Sequence, residues 1–292
     1  MIVYNIPPIF IFFKITFFLY TRKSENKKTG IRLEICYSFL LMQFWNIMLI
    51  LADFGMLRIG PSTILTRYCA TENPQAMLKT IVFFYFWANY SAQMFTVLFC
   101  ALRVAVMYSV AQETSEKIIK FVPPIIVTFG FIAALLHLFT AGDCLQLGDP
   151  MLLGSIAILT KFHSENLSVP YLNLGFYFSV TITVAVLNIL MLMKVRRKTS
   201  SGASTSRVTK QNAKVEKTLT GTMIILVVPM VVSLFIPIGE ILRNQYFPYI
   251  LIIRPFFLDA RVHIVTCYFY LTHPIFKESS PQSSVSIMSR AT

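Results

Sequence analysis

Charge is what this sequence has least of. Only 13% of its residues are Asp, Glu, Lys or Arg, about half the share of a soluble globular chain. So few charges cannot dress a water-facing surface, which argues against a soluble enzyme. Acid is scarcer than base: 13 Asp and Glu stand against 26 Lys and Arg, for a net charge of +13. The five cysteines are too few and too scattered for a disulfide scaffold, and none show paired metal-ligand spacing. There is no A-x-A-like cleavage site, so the apolar stretch from Ile2, which contains Lys14, reads as a first span or signal anchor. The four histidines, His137, His163, His263 and His273, are dispersed, and no nucleophile elbow or metal motif exists. No enzymatic activity, metal or cofactor is expected.

What is present is apolar. Hydrophobic residues make up 55% of the 292, aromatics 14%, and the mean hydropathy is +0.65. Seven apolar segments separate, at about 2–20, 35–55, 79–101, 121–141, 171–193, 218–239 and 247–270. Each is near the length that crosses a hydrocarbon core of about 30 Å as a helix. The expected fold is therefore an all-α membrane protein. A seven-transmembrane-helix bundle would fill residues 1–270, followed by a short Ser-rich tail, 271–292.

Orientation follows from the Lys and Arg tally. The segments 21–34, 102–120, 194–217 and the tail from 271 hold 18 basic residues, including Arg103, Lys117 and Lys120. The opposite loops hold four: Arg58, Arg67, Lys161 and Arg243. This asymmetry places the N-terminus outside and the C-terminus inside. A basic balance in such a chain reflects cytoplasmic loops and anionic lipid, and nucleic acid is not an expected partner.

Cys69 and Cys144 are the two cysteines on the exterior side, while Cys36, Cys100 and Cys267 fall within spans. An oxidising exterior favours a Cys69–Cys144 bridge over two unrelated thiols. The exterior loop 142–170 also carries Asn166-Leu167-Ser168, an N-glycosylation acceptor that would make the chain a glycoprotein, or else an unused sequon.

Polar groups inside a membrane are costly, so their spacing is informative. Gln43, Asn46 and Asp53 share a face of the second span. Asn89, Gln93, Thr96, Cys100 and Arg103 form a stripe along the third, and Tyr177, Thr181 and Asn188 along the fifth. These faces should point into the bundle, as interhelical hydrogen bonding first and as lining of a ligand site second. The seventh span is the most charged, with Arg254, Asp259, Arg261 and His263. Asp259 sits near its middle, as a functional group or in an ion pair with Arg254 or a group on another helix. His263, four residues on, shares its face; Arg254, five residues before, does not.

Several local patterns carry a family resemblance. They are Tyr4-Asn5-Ile6-Pro7-Pro8 before the first span, Arg67-Tyr68-Cys69 before the third, and Cys100 to Tyr108 at its end. Arg254-Pro255-Phe256-Phe257-Leu258-Asp259 in the seventh and Leu271 to Lys277 after it complete the set. The chain resembles a nematode serpentine chemosensory receptor of the class gamma superfamily, class gamma or the related class V. The resemblance implies a seven-helix receptor that binds an extracellular small-molecule or peptide ligand and signals through a heterotrimeric G protein. It implies residence in the plasma membrane, including that of sensory cilia. It also puts Arg103 where rhodopsin-like receptors carry the arginine of an Asp/Glu-Arg-Tyr motif. Here the neighbours are Leu102 and Val104, so the acidic partner is missing, and the seventh span lacks an Asn-Pro-x-x-Tyr ending. Arg103 and Asp259 are the candidates for coupling and switching. A transporter or channel component is the alternative reading, but no internal repeat divides the chain into two halves.

Overall fold

The computed structural model describes residues 5–21, 33–72, 75–108, 111–151, 155–161, 169–200, 220–232, 234–235, 237–238 and 247–272. These are overwhelmingly helical. In chain order they form α1 (Ile6–Thr21), α2 (Leu33–Asp53), α3 (Thr66–Glu72), α4 (Gln75–Met107) and α5 (Gln112–Leu135). A hairpin of β1 (Ala141–Gln146) and β2 (Ile156–Lys161) follows. Then come α6 (Val169–Ser200), α7 (Thr220–Val232) and α8 (Phe247–Thr272).

Among the described residues, four helical stretches are long and apolar enough to cross a membrane: Leu33–Arg58, Gln75–Met107, Gln112–Phe139 and Tyr171–Arg197. Their outward faces confirm the solvent they are made for. Phe121, Ile125, Phe129 and Ile132 on α5, and Phe178, Ile182 and Ile189 on α6, are all exposed. In water such a continuous apolar belt would drive aggregation, whereas lipid tails accept it.

α4 is the central helix, packing on α2, α5 and α6. Small residues let it approach its neighbours closely. A Cβ built at Gly130 of α5 would lie 2.8 Å from Ser91 Oγ of α4. Aromatic side chains fill the α2–α4 seam. Phe39 stacks on Phe269 of α8 at 3.8 Å and meets Phe99 of α4 edge-on. Trp45 meets Trp87 and Phe95 of α4.

Several helix ends differ from the apolar segments that announce them. α4 continues to Met107 and α5 begins at Gln112, so Arg103, Lys117 and Lys120 lie on helices and not in a long loop. Lys117 pairs with Glu113 one turn before it, at 2.7 Å, the spacing at which helix surface charges meet. Polar residues cost a helix nothing where it leaves the hydrocarbon, so hydropathy marks the membrane depth and not the helix end. α2 likewise runs on beyond Asp53 as one π turn, Phe54–Arg58. That turn carries Arg58 into the bundle instead of into an exterior loop.

The segment 142–170 is also structured at its start. β1 and β2 pair antiparallel, with Cys144 opposite Ile158. Ile156, Ala157 and Ile158 are all buried, so β2 is covered on both faces. Such a strand reads as an apolar run without alternation.

Candidate functional site

The site sits at the hairpin end of the bundle, between α2, α4, α6 and α8. It begins with the π turn. In an α-helix residues five apart point about 140° away from each other. In the π turn the Ile59 N–H bonds back five residues to the Phe54 carbonyl at 3.0 Å, and side chains at that spacing come into register. Arg58 Nε accordingly donates to Asp53 Oδ2 at 2.9 Å.

Arg58 then reaches across to α8. Its Nη1 and Nη2 donate to the two carboxylate oxygens of Asp259 at 2.9 and 2.7 Å. This is the two-pronged geometry that suits guanidinium to carboxylate. The other oxygen of Asp53 accepts from Arg254 of α8, whose second terminal nitrogen donates to the Tyr85 hydroxyl of α4. The Arg254 guanidinium also lies 5.4 Å from the Tyr85 ring centroid, within cation–π range. Tyr85 is hydrogen-bonded to Tyr177 of α6, and Tyr177 accepts from Asn89 Nδ2 of α4 at 2.6 Å.

The result is one continuous polar chain through four helices. Its two arginines and two aspartates cancel in charge. Asp53 is fully buried and the Arg58 side chain is 4% exposed. Buried ion pairs return roughly what desolvation costs, while removal of one partner is severe, about 3–5 kcal/mol. The network therefore fixes how α2 and α8 sit against each other far more than it adds net stability.

A second polar cluster adjoins it. Tyr90 of α4 donates to Asn173 Oδ1 of α6 at 2.7 Å and lies 3.2 Å from His137 Nε2. The His137 ring stacks on Phe86 at 3.6 Å.

The hairpin covers this end. Cys144 of β1 is disulfide-bonded to Cys69 of α3, with Cα atoms 6.3 Å apart. Gln75, at the start of α4, clamps the Gly142 backbone from both sides. Its Nε2 donates to the Gly142 carbonyl at 2.8 Å, and its Oε1 accepts from the Gly142 N–H at 3.0 Å. β1 lies so close to α4 that a Cβ at Gly142 would come within 2.7 Å of Leu78 Cβ. Leu147, Ala157 and Leu251 pack with Leu57 and Met151, joining the hairpin to the π turn and to α8.

The remaining candidates fall elsewhere. Gln93 and Thr96 are buried on α4 and hydrogen-bond to Arg261 of α8. Asn46 is buried on α2. Thr181 is half-buried on α6. His263 is half-buried one turn beyond Asp259, within the field of its carboxylate. Arg103 is 2% exposed near the opposite end of α4. There Cys36 lies within electrostatic reach of both Arg103 and Glu34. Asn166 lies outside the described residues. Among the described residues, no three His, Cys, Asp or Glu side chains gather to hold a metal ion.

Sequence reasoning missed Arg58 and the pairing of Arg254 with Asp53. Hydropathy falls off after Asp53, which places Arg58 with the exterior loops when the sequence alone is read. The signal available was the mirrored spacing, Asp-x4-Arg in α2 and Arg-x4-Asp in α8.

Comparison with known proteins supports this architecture. Residues 1–279 match the family model described as serpentine type 7TM GPCR chemoreceptor Sru. The chain is similar to serpentine receptor class U-26 of Caenorhabditis elegans, at 25% identity over 161 residues. That match covers 53% of this chain and 56% of the relative, so it spans about half the length of each. The serpentine-receptor resemblance of the sequence stands. The class matched is U, a letter that the local residue patterns did not single out.

Proposed function

This chain belongs to the Sru family of serpentine-type seven-transmembrane GPCR chemoreceptors, and from that premise we propose that it is a receptor for an extracellular small molecule or peptide, signalling through a heterotrimeric G protein. The observation that carries the reading is the charge network joining α2 to α8 beneath a disulfide-tethered hairpin. A ligand changes a receptor only through unequal affinity for two packings. A buried, charge-balanced contact between helices supports two packings, because its partners can exchange while the charges stay matched. Asp259, its least buried carboxylate at 13% side-chain exposure, is the member a ligand would reach first.

The same proposal extends to topology and surroundings. Seven spans cross the plasma membrane of a sensory cell, its cilia included, with the hairpin end outside and the basic segment 194–217 facing the G protein. A glycan on Asn166 and an oxidised Cys69–Cys144 pair fit that exterior. Arg103 would then lie at the G-protein end, opposite the ligand.

Expression in a cell line with a calcium or cyclic-nucleotide readout, across a panel of odorants and peptides, tests the reading. A dose-dependent response that vanishes in Asp259→Leu at matched surface level supports it. Substrate flux through the purified chain without any G-protein response would replace it with a transporter.

A further inference from the structure

Among the described residues, the bundle interior holds at Arg261 a positive charge that no described carboxylate cancels. Arg58 and Arg254 are matched by Asp53 and Asp259. Arg261, near the middle of α8 and 1% exposed, is not. Its hydrogen bonds go to neutral acceptors, from Nη1 to Gln93 Oε1 at 3.4 Å and from Nη2 to Thr96 Oγ1. Its Nε has no partner among the described residues, and none of their carboxylates pairs with it. A guanidinium stays protonated in proteins, and an unmatched buried ion is strongly unfavourable.

Two amides with nothing to bond lie at the same level. Gln43 and Asn46 of α2 are 0% and 1% exposed, and both polar atoms of each lack partners among the described residues. The register of α2 fixes their depth. Phe39 meets Phe99 of α4 and Phe269 of α8. Asp53, two heptads on, meets Arg254 of α8, which also holds Tyr85 of α4. Asn46 lies midway on that stripe. The midpoints of the facing segments are Ala92 on α4, beside Gln93, and Arg261 and Val262 on α8. Gln43, one turn toward Phe39, falls near Thr96.

Buried amides without partners are rare in native structures. Here they share a layer with an uncancelled cation. A water molecule would satisfy the amides and leave the charge. A metal ion would be repelled by Arg261. A small anion meets both needs, taking the guanidinium as counter-ion and amide N–H groups as donors.

We propose that this layer binds one small monovalent anion, a halide or the carboxylate of a small organic acid. Arg261 supplies the charge, and the amide N–H groups of Gln43, Asn46 and Gln93 supply the remaining hydrogen bonds; the Thr96 hydroxyl, which donates to the Ala92 carbonyl, holds the guanidinium in place. A halide would be a structural ion independent of signalling. The carboxylate case rests on the receptor reading above and makes the acid its ligand.

The test is thermal unfolding of the full chain in lipid nanodiscs. Chloride or acetate is titrated into a sulfate background at fixed pH and ionic strength. The expected result is a saturable rise in midpoint of several degrees, as for any ligand that binds only the folded state. Arg261→Gln, which removes the unmatched charge and keeps a polar side chain, should lose the rise. Arg196→Gln, at an exposed position on α6, should keep it. Asn46→Leu should weaken half-saturation about tenfold. A response to chloride alone assigns a halide site, to acetate alone a carboxylate site, and to both a site open to either. No saturable response in the parent chain, or an equal response in Arg261→Gln, overturns the proposal. Should Arg261→Gln fail to fold, unchanged half-saturation in Asn46→Leu and in Gln43→Leu overturns it instead. Unfolding does not depend on G-protein coupling, so a chain that fails to signal leaves this result standing.

Discussion

Asp53 and Arg58 stand five residues apart and share a hydrogen bond of 2.9 Å, because a π turn replaces the last α turn between them. Arg254 and Asp259 have the same separation with the charges reversed, but they lie within α8, which stays an α-helix through Pro255 and has no π turn between them. Five steps of an α-helix turn them away from each other. Each instead bonds to α2, Arg254 to Asp53 and Asp259 to Arg58. One helix thus holds its pair together and the other splays its pair apart. That difference lets four charges close into a single network across two helices. Single-turn π segments recur at functional sites, and here the turn has an identifiable geometric effect.

The network makes a prediction about coupling. Arg58→Gln alone leaves Asp259 buried without its cation and should destabilise the chain by about 3–5 kcal/mol. Asp259→Asn added to it removes the stranded charge and should recover at least about 1 kcal/mol. The comparison is made by thermal unfolding of the two single variants and the double in nanodiscs. Additive losses would mean that the two side chains act independently.

Much of this architecture was legible in the sequence, and the omissions have physical causes. Apolar length located α2, α4, α5, α6 and α8 because lipid demands about 20 apolar residues per crossing. Asn89, Gln93 and Thr96 on α4 and Tyr177 and Asn188 on α6 are buried, and the two helices meet at the Asn89–Tyr177 hydrogen bond. Arg58 was not legible, since a π turn leaves no trace in hydropathy. Nor was the hairpin, because β2 is six residues long and its burial depends on Gly60 and Leu57, distant in sequence.

The Cys69–Cys144 bond fastens α3 to the hairpin across 75 residues. Closing a loop of that length should stabilise the chain by roughly 2–4 kcal/mol. Cys69→Ser and Cys144→Ser should each lower surface expression, and the double variant should fall no further than either single one. Flow cytometry on intact cells measures this. A double variant with summed losses would separate the two cysteines.

Gly142 offers a finer probe of the same contact. A methyl group there would press on Leu78 Cβ at 2.7 Å, too close without backbone movement. The Gln75 clamp holds that backbone at two points. Gly142→Ala should therefore cost about 1–3 kcal/mol and weaken ligand response at the hairpin end. An unfolding midpoint equal to that of the parent would show that the hairpin is free to lift.

Arg103 tests the opposite end. At 2% exposure it is held inside the bundle, which sets it apart from lysines and arginines that anchor helices at the lipid interface. Its neighbours Leu102 and Val104 supply no acid. Glu34, at the first turn of α2, stands at the same level, and the fields of both residues meet at Cys36. If Arg103 transmits the state of the bundle to a G protein, Arg103→Ala should abolish ligand-evoked signalling while surface level and ligand binding persist. Arg103→Lys should restore little, because a point charge does not reproduce a planar fork of donors. Glu34→Gln should change basal activity in the same assay, since it removes a carboxylate whose field reaches the same Cys36 as that of Arg103. Dose–response curves at matched surface density decide the matter. Parent-like signalling from both arginine variants would remove Arg103 from the coupling path and leave it a packing residue of the α2–α4 seam.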